Sequence, residues 1–64
     1  MSADELKAAL IRLYGGHGWQ TKAADALGVD TSTIRRWTQG QVPVPGPVAA
    51  AVRCFEDRAG SSAG

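Results

Sequence analysis

Glycines divide this 64-residue chain into segments that are each about the length of one short helix. Gly15, Gly28 and Gly40 each follow a stretch in which apolar residues recur at helical spacing. Glycine commonly ends a helix because it adopts the positive φ that closes the last turn. No stretch shows the strict alternation that is typical of a half-buried strand. The sequence therefore predicts an all-α fold, a compact bundle of about four to five short helices.

The first segment carries a helix start signal as well as an apolar face. Ser2 precedes Glu5 by three positions, the spacing of a capping box in which a hydroxyl and a carboxylate each accept a hydrogen bond from a backbone N–H. A first helix should therefore begin beside Ser2. Its inward face is predicted from residues spaced i, i+4, i+7 and i+8, namely Leu6, Leu10, Leu13 and Tyr14.

The second segment is rich in small residues. Ala23, Ala24 and Leu27 share one helical face, which allows another helix to approach closely. Gly28 follows at the position of a C-terminal cap. Trp19 opens the segment, and we consider two roles for it, packing against the core and a phosphate contact through its indole N–H.

The third segment begins after a residue that suits the N-cap position. We expect the carboxylate of Asp30 to accept a hydrogen bond from the backbone N–H of Ser32 or Thr33. Ile34 and Trp37 are three positions apart and should both face the core.

All three prolines lie between residues 43 and 47. Because the residue before a proline is pushed towards extended geometry, residues 41–46 should form an ordered, extended connection. Pro47 suits the first turn of a fourth helix, where its missing N–H removes no helical bond. We place the domain at residues 1–58 and a flexible tail at residues 59–64, since "AGSSAG" has nothing to bury. The apolar face of the fourth helix is predicted from Val48, Ala51, Val52 and Phe55.

The chain lacks the side chains that disulfide scaffolds, metal sites and most catalytic sites need. Cys54 is the only cysteine and His17 the only histidine, so neither an internal disulfide nor a four-ligand zinc site can be built from them. Neither nucleophilic nor acid–base chemistry has a set of residues to perform it. We therefore expect no enzyme and no cofactor. Cys54 should be a small buried or interfacial side chain, and His17 a loop residue.

The N-terminal stretch "MSADELKAAL" does not look like a targeting segment. It carries two acids and no basic region ahead of an apolar run, and nowhere does the chain reach about 18 consecutive apolar residues. We expect a cytoplasmic protein. The formal net charge of +1 is too small to indicate a nucleic-acid binder by itself. Such a function must depend on where the charges lie.

Two short helices joined by a glycine turn form the arrangement of a helix-turn-helix DNA reader. Ala24 is small where the second helix of the pair would cross, Gly28 supplies the turn, and Val29, Ile34 and Trp37 fasten the reading helix to the core. Arginine pairs on helices are otherwise most often a solvated face. Here the inward side chains leave an outward face that carries Thr31, Ser32, Arg35 and Arg36.

Residues 19–40, "WQTKAADALGVDTSTIRRWTQG", resemble the helix-turn-helix of the Cro and C-type phage repressor superfamily, also called the XRE family. The portion "ALGVDTSTIRRW" is the most specific. The similarity extends more loosely through "GQVPVPGPVAAAV", which resembles compact bacterial and phage regulators, a group that includes anti-CRISPR-associated autorepressors. The chain departs from the family at "GGHGW", a glycine-rich start to the second helix. The resemblance implies a cytoplasmic protein encoded by a bacterium or a phage.

The outward geometry and the resemblance together indicate contact roles on DNA. Arginine binds guanine O6 and N7 with both arms, and hydroxyls serve bases or phosphates. We favour Arg35 for a base edge and place Arg36 slightly more towards phosphate. The base-contacting set is predicted as Thr31, Ser32, Arg35 and Arg36. The phosphate-contacting set is predicted as Gln20, Thr21, Lys22, Thr33, Gln39 and Gln41.

Together these expectations predict a sequence-specific DNA-binding transcriptional regulator. By family resemblance it is a repressor, which acts by covering a promoter element, and the promoter of its own gene is a candidate. So small a module buries little DNA surface, and helix-turn-helix proteins usually pair half-sites about 34 Å apart. We therefore expect a homodimer on a palindromic operator in double-stranded DNA, with no membrane and no small-molecule ligand. The dimer interface is predicted from Val48, Val52 and Phe55. The alternative is an antitoxin-like or adaptor module that grips another protein with the same helices.

Overall fold

The described part of the chain forms four helices and no strand, which confirms the predicted all-α bundle of short helices. In this computed structural model the backbone is described for residues 1–62 and the side chains for residues 1–59. The helices are α1 (Ala3–Tyr14), α2 (Trp19–Leu27), α3 (Thr31–Thr38) and α4 (Gly46–Ser62).

A single hydrophobic core lies where α1 packs against each of the other three helices. α2 and α3 also pack against each other. The largest fully buried side chains come from α1, α3 and α4, and α2 adds Trp19 and two small alanines, so every helix contributes to the core. The largest fully buried side chains are Leu6, Leu10, Ile34 and Val52. The predicted inward faces of α1, α2 and α3 are confirmed.

The two helix starts that carry a sequence signal behave differently. At α1 the hydroxyl of Ser2 accepts a hydrogen bond from the backbone N–H of Glu5 at 3.1 Å, which confirms the predicted helix start and the hydroxyl's half of the capping box; the Glu5 carboxylate makes no return bond to the backbone of Ser2. Asp30 occupies the N-cap of α3 with extended backbone geometry, but its side chain makes no capping bond, so that prediction is wrong. The backbone carbonyl of Asp30 instead accepts from the N–H groups of Thr33 and Ile34, at 3.0 and 3.2 Å.

The fourth helix starts at Gly46, one residue inside the predicted connection, and places Pro47 in its first turn as expected. It runs to Ser62, past residue 58 where we placed the end of the domain, and residues 63–64 of the predicted tail lie outside the described residues. Cys54 is exposed, so of the two predicted roles the buried one is wrong and the interfacial one stays a prediction: Cys54 lies two positions beyond the buried Val52, which turns it to the opposite face. No helix in the described range is long and apolar enough to cross a membrane.

Candidate nucleic-acid interface

The turn between α2 and α3 is fixed by two backbone hydrogen bonds. The N–H of Gly28 donates to the carbonyl of Asp25 at 3.3 Å, and the N–H of Val29 donates to the carbonyl of Ala24 at 3.0 Å. This pair of bonds is the Schellman motif, which needs a left-handed residue at its centre, and Gly28 supplies it with φ of 71°. Val29 is half-buried and packs against the core. The turn therefore sets the direction in which α3 leaves α2.

Two buried side chains decide which face of α3 points outward. Ile34 is 0% exposed and Trp37 is 7% exposed. At about 100° per residue, Ser32, Arg36 and Gln39 lie within about 40° of the direction opposite Ile34, whereas Arg35 lies about 80° from that direction, on a flank. All of these outward residues are exposed, and together they form the outer face of α3, namely Ser32, Arg35, Arg36 and Gln39.

The arginines of the outer face have no carboxylate partner within ion-pair distance among the described side chains. The ion pair that the structure does give lies elsewhere, between Arg12 on α1 and Glu56 on α4, with Nη2 2.6 Å from Oε2. The guanidinium groups of Arg35 and Arg36 are thus open to an external acceptor. A guanidinium presents five N–H donors in a planar fork that matches phosphates and the guanine edge.

The two threonines of the predicted contact set are less exposed than the outer face. Thr31 opens α3 and is half-buried. Thr33 is also half-buried and lines a groove between α2 and α3, beside the carboxylates of Asp25 and Asp30. Those acids would repel a phosphate placed in the groove. Thr33 is therefore less suited to a phosphate contact than the residues of the outer face. In the described part of the chain, no three histidine, cysteine or acidic residues come together as metal ligands.

The first turn of α2 carries three further residues of the predicted phosphate set. Gln20 is half-buried there, and Thr21 and Lys22 are exposed. The first backbone N–H groups of a helix lack partners within it and favour anions. Trp19, at the beginning of the same turn, is 9% exposed and packs in the core, which confirms its packing role.

The end of α3 repeats the motif that ends α2. The N–H of Gly40 donates to the carbonyl of Trp37 at 3.3 Å, and the N–H of Gln41 donates to the carbonyl of Arg36 at 3.0 Å. Beyond this turn the side chains of Gln39 and Gln41 meet, with Nε2 of Gln41 donating to Oε1 of Gln39 at 3.1 Å. Sequence reasoning missed this contact. The signal was the order glutamine, glycine, glutamine, with the glycine as the helix terminator.

Part of the predicted dimer surface is not available to a partner. Val52 is 0% exposed because it packs inside the fold itself, so its assignment to an interface is wrong. Val48 is half-buried against the same core, and Phe55 is half-buried one turn further along α4 than Val52. Only Val48 and Phe55 of the predicted set therefore retain surface to share.

No family model, curated protein or solved structure matches this chain. The resemblance to XRE-family proteins stays an interpretation of residues 19–40. What supports a function is the geometry of the α2–α3 pair.

Proposed function

We propose that this chain is a cytoplasmic, sequence-specific DNA-binding transcriptional regulator, a dimeric repressor that places α3 in the major groove of double-stranded DNA. One observation carries the proposal: buried Ile34 and Trp37 hold α3 behind a glycine turn, with two arginines facing outward that no described carboxylate pairs. The charge needed for nucleic acid is thereby concentrated on one helix, although the chain as a whole has a formal net charge of only +1.

The dimensions of α3 suit the groove. An α-helix with its side chains is about 10–12 Å across, and the major groove of B-form DNA is about 12 Å wide, so the groove admits α3. Arg36 stands nearer the middle of the outer face than Arg35, but both side chains are long enough to reach base edges. Thr31, which is half-buried, and Ser32, which is exposed, are near the start of α3, the end of the reading helix from which helix-turn-helix proteins contact bases.

The size of the molecule favours two copies on one operator. Its principal extents are 36 × 24 × 20 Å, so one copy covers about one half-site, and half-sites of helix-turn-helix dimers lie about 34 Å apart. In this proposal Val48 and Phe55 provide the apolar part of the subunit contact. Repression follows from occupancy of the promoter element.

Selection of bound sequences from random double-stranded DNA tests the proposal most directly. We expect an inverted repeat whose half-sites are about 10 base pairs apart, centre to centre. A protein pull-down with a tight partner and no selected DNA would favour the adaptor alternative. Sedimentation of a monomer, both free and on the selected DNA, would remove the dimer.

Three matched arginine variants then locate the interface. Arg35→Ala and Arg36→Ala should each lower affinity for the selected site about 5- to 150-fold, since a bidentate base contact contributes about 1–3 kcal/mol. Arg53→Ala removes the same charge from the exposed surface of α4 and should change affinity less than twofold. If all three variants behaved like Arg53→Ala, the outer face of α3 would not be the reading surface.

A further inference from the structure

The hydrogen bond between Gln41 and Gln39 lies at the edge of the outer face of α3 and has no role in holding the core. Both side chains are exposed, and they meet at 3.1 Å across Gly40. An exposed bond between neutral side chains contributes little to folding. The bond does, however, orient the side-chain amide of Gln39, which belongs to the outer face of α3.

The backbone holds Gln41 in a defined place relative to α3. Gly40 adopts φ of 78°, which only glycine enters without strain, and it reverses the chain direction at the end of the helix. The N–H groups of Gln41 and Val42 both approach the carbonyl of Arg36, at 3.0 and 3.4 Å. Gln41 is therefore fixed to the same helical turn that carries Arg36.

The direction of the side-chain bond decides what Gln39 can offer to a ligand. Because Oε1 of Gln39 already accepts from Gln41, the amide presents chiefly the two N–H donors of its Nε2. A phosphate oxygen only accepts hydrogen bonds. The C-terminal end of a helix carries partial negative charge that repels phosphate, so a phosphate there needs N–H donors between itself and the helix end. The Nε2 of Gln39 provides such donors.

Resting on the proposed function, we propose that Gln41 is a positioning residue, which holds the Gln39 amide so that its N–H groups bind one DNA phosphate at the C-terminal end of α3. Gln41 then acts through Gln39 and does not bind a phosphate of its own. The Gln39 amide carries no charge of its own. It consequently adds affinity without releasing a counterion, in contrast to the contact expected from Lys22.

A double-mutant cycle measured by DNA titration at several salt concentrations tests this inference. Gln39→Ala should lower affinity about 10-fold, the lower end of what a hydrogen bond to a charged acceptor contributes, with the slope of log affinity against log salt unchanged. Gln41→Ala should lower affinity about 2- to 3-fold in the wild-type chain and not at all when Gln39 is already alanine. Lys22→Ala serves as the charged control and should reduce the salt slope by about 1.

Two further readouts separate positioning from a general structural role. The thermal unfolding of the free single variants should match that of the wild-type chain, because both side chains are exposed. The DNA motif selected by Gln39→Ala should be unchanged, because a phosphate contact carries no base preference.

Four results would overturn the inference while leaving the proposed function intact: no loss of affinity with Gln39→Ala, additive losses in the double variant, a change of salt slope with Gln39→Ala, or a change of preferred base at one position. A wild-type chain that selects no DNA at all would remove the proposed function, and this inference with it.

Discussion

The α1–α4 pair and the α2–α3 pair differ in what they do with their charges. Between α1 and α4, Arg12 meets Glu56 at 2.6 Å, so a cation on one helix is matched by an anion on the other. On α3, Arg35 and Arg36 stand side by side with no such match among the described side chains. The α1–α4 pair neutralises a charge within the fold, whereas the α2–α3 pair leaves two positive charges available to a ligand. In the proposed function, recognition therefore belongs to the α2–α3 pair and support to the α1–α4 pair.

The division continues within α3 itself, where adjacent residues have opposite surroundings. Trp37 is buried in the core and Arg36 is exposed on the outer face. One helix therefore belongs to both parts of the molecule, and the boundary between them runs along its length. Substitutions at this boundary, at the turn that precedes α3, and at the Arg12–Glu56 ion pair test this division of roles.

Substitution on the two sides of α3 should produce the largest difference. Trp37→Ala should reduce the free energy of unfolding by about 3–5 kcal/mol, which is close to all that a core of this size supplies. Arg36→Ala should change it by less than about 0.5 kcal/mol while weakening DNA binding. Urea unfolding followed by circular dichroism measures both. If Trp37→Ala kept full stability and lost only DNA binding, Trp37 would be a contact residue and the boundary would be wrongly drawn.

Gly28→Ala tests the turn that joins α2 and α3, the two helices that contact DNA in the proposed function and that we call the reading pair. An alanine there must adopt φ near 71°, which destabilises by about 1–2 kcal/mol, although no atom lies within 4 Å of the added Cβ. The loss would therefore come from backbone strain and not from a clash.

Gly16→Ala is the matched control for that variant. Its added Cβ also meets nothing within 4 Å, and no positive φ is required at Gly16. It should leave stability unchanged or raise it by up to about 1 kcal/mol. Equal thermal shifts for Gly28→Ala and Gly16→Ala would show that the turn does not depend on the left-handed conformation.

Local patterns in the sequence were sufficient for the fold and for the two faces of α3. Glycine positions gave the helix ends, and the three-residue spacing of Ile34 and Trp37 gave the inward side. These features depend on short-range geometry: the period of the helix and the positive φ that closes it. They could be predicted without knowing how the helices pack.

Features that depend on packing or on side-chain choice were predicted less well. Val52 looked like a residue that could be shared with a partner, and only the packing of α4 on α1 shows that the core already encloses it. The carboxylate of Asp30 has the right position for a cap but not the bond, since an exposed side chain is also free to face water. The contact of Gln39 with Gln41 required the path of the chain through Gly40.

The smallest expected effect is that of removing the ion pair between Arg12 on α1 and Glu56 on α4. Arg12 is 64% exposed and Glu56 is 29% exposed, so water and salt screen their attraction and the pair should contribute about 0.2–1 kcal/mol. Glu56→Gln should reduce the free energy of unfolding by that amount at low salt, and the difference should vanish near 1 M salt, where the Debye length is about 3 Å.

The neighbouring variant Asp57→Asn removes the same charge one position further along α4, from an exposed side chain with no ion-pair partner in the described part of the chain. It should leave stability unchanged, and neither variant should alter DNA affinity by more than twofold if α1 and α4 only support the reading pair. A larger loss of affinity with Glu56→Gln would show that the Arg12–Glu56 contact also sets the position of α3. The two pairs of helices would then act as one unit, and the assignment of support to one pair and recognition to the other would fail.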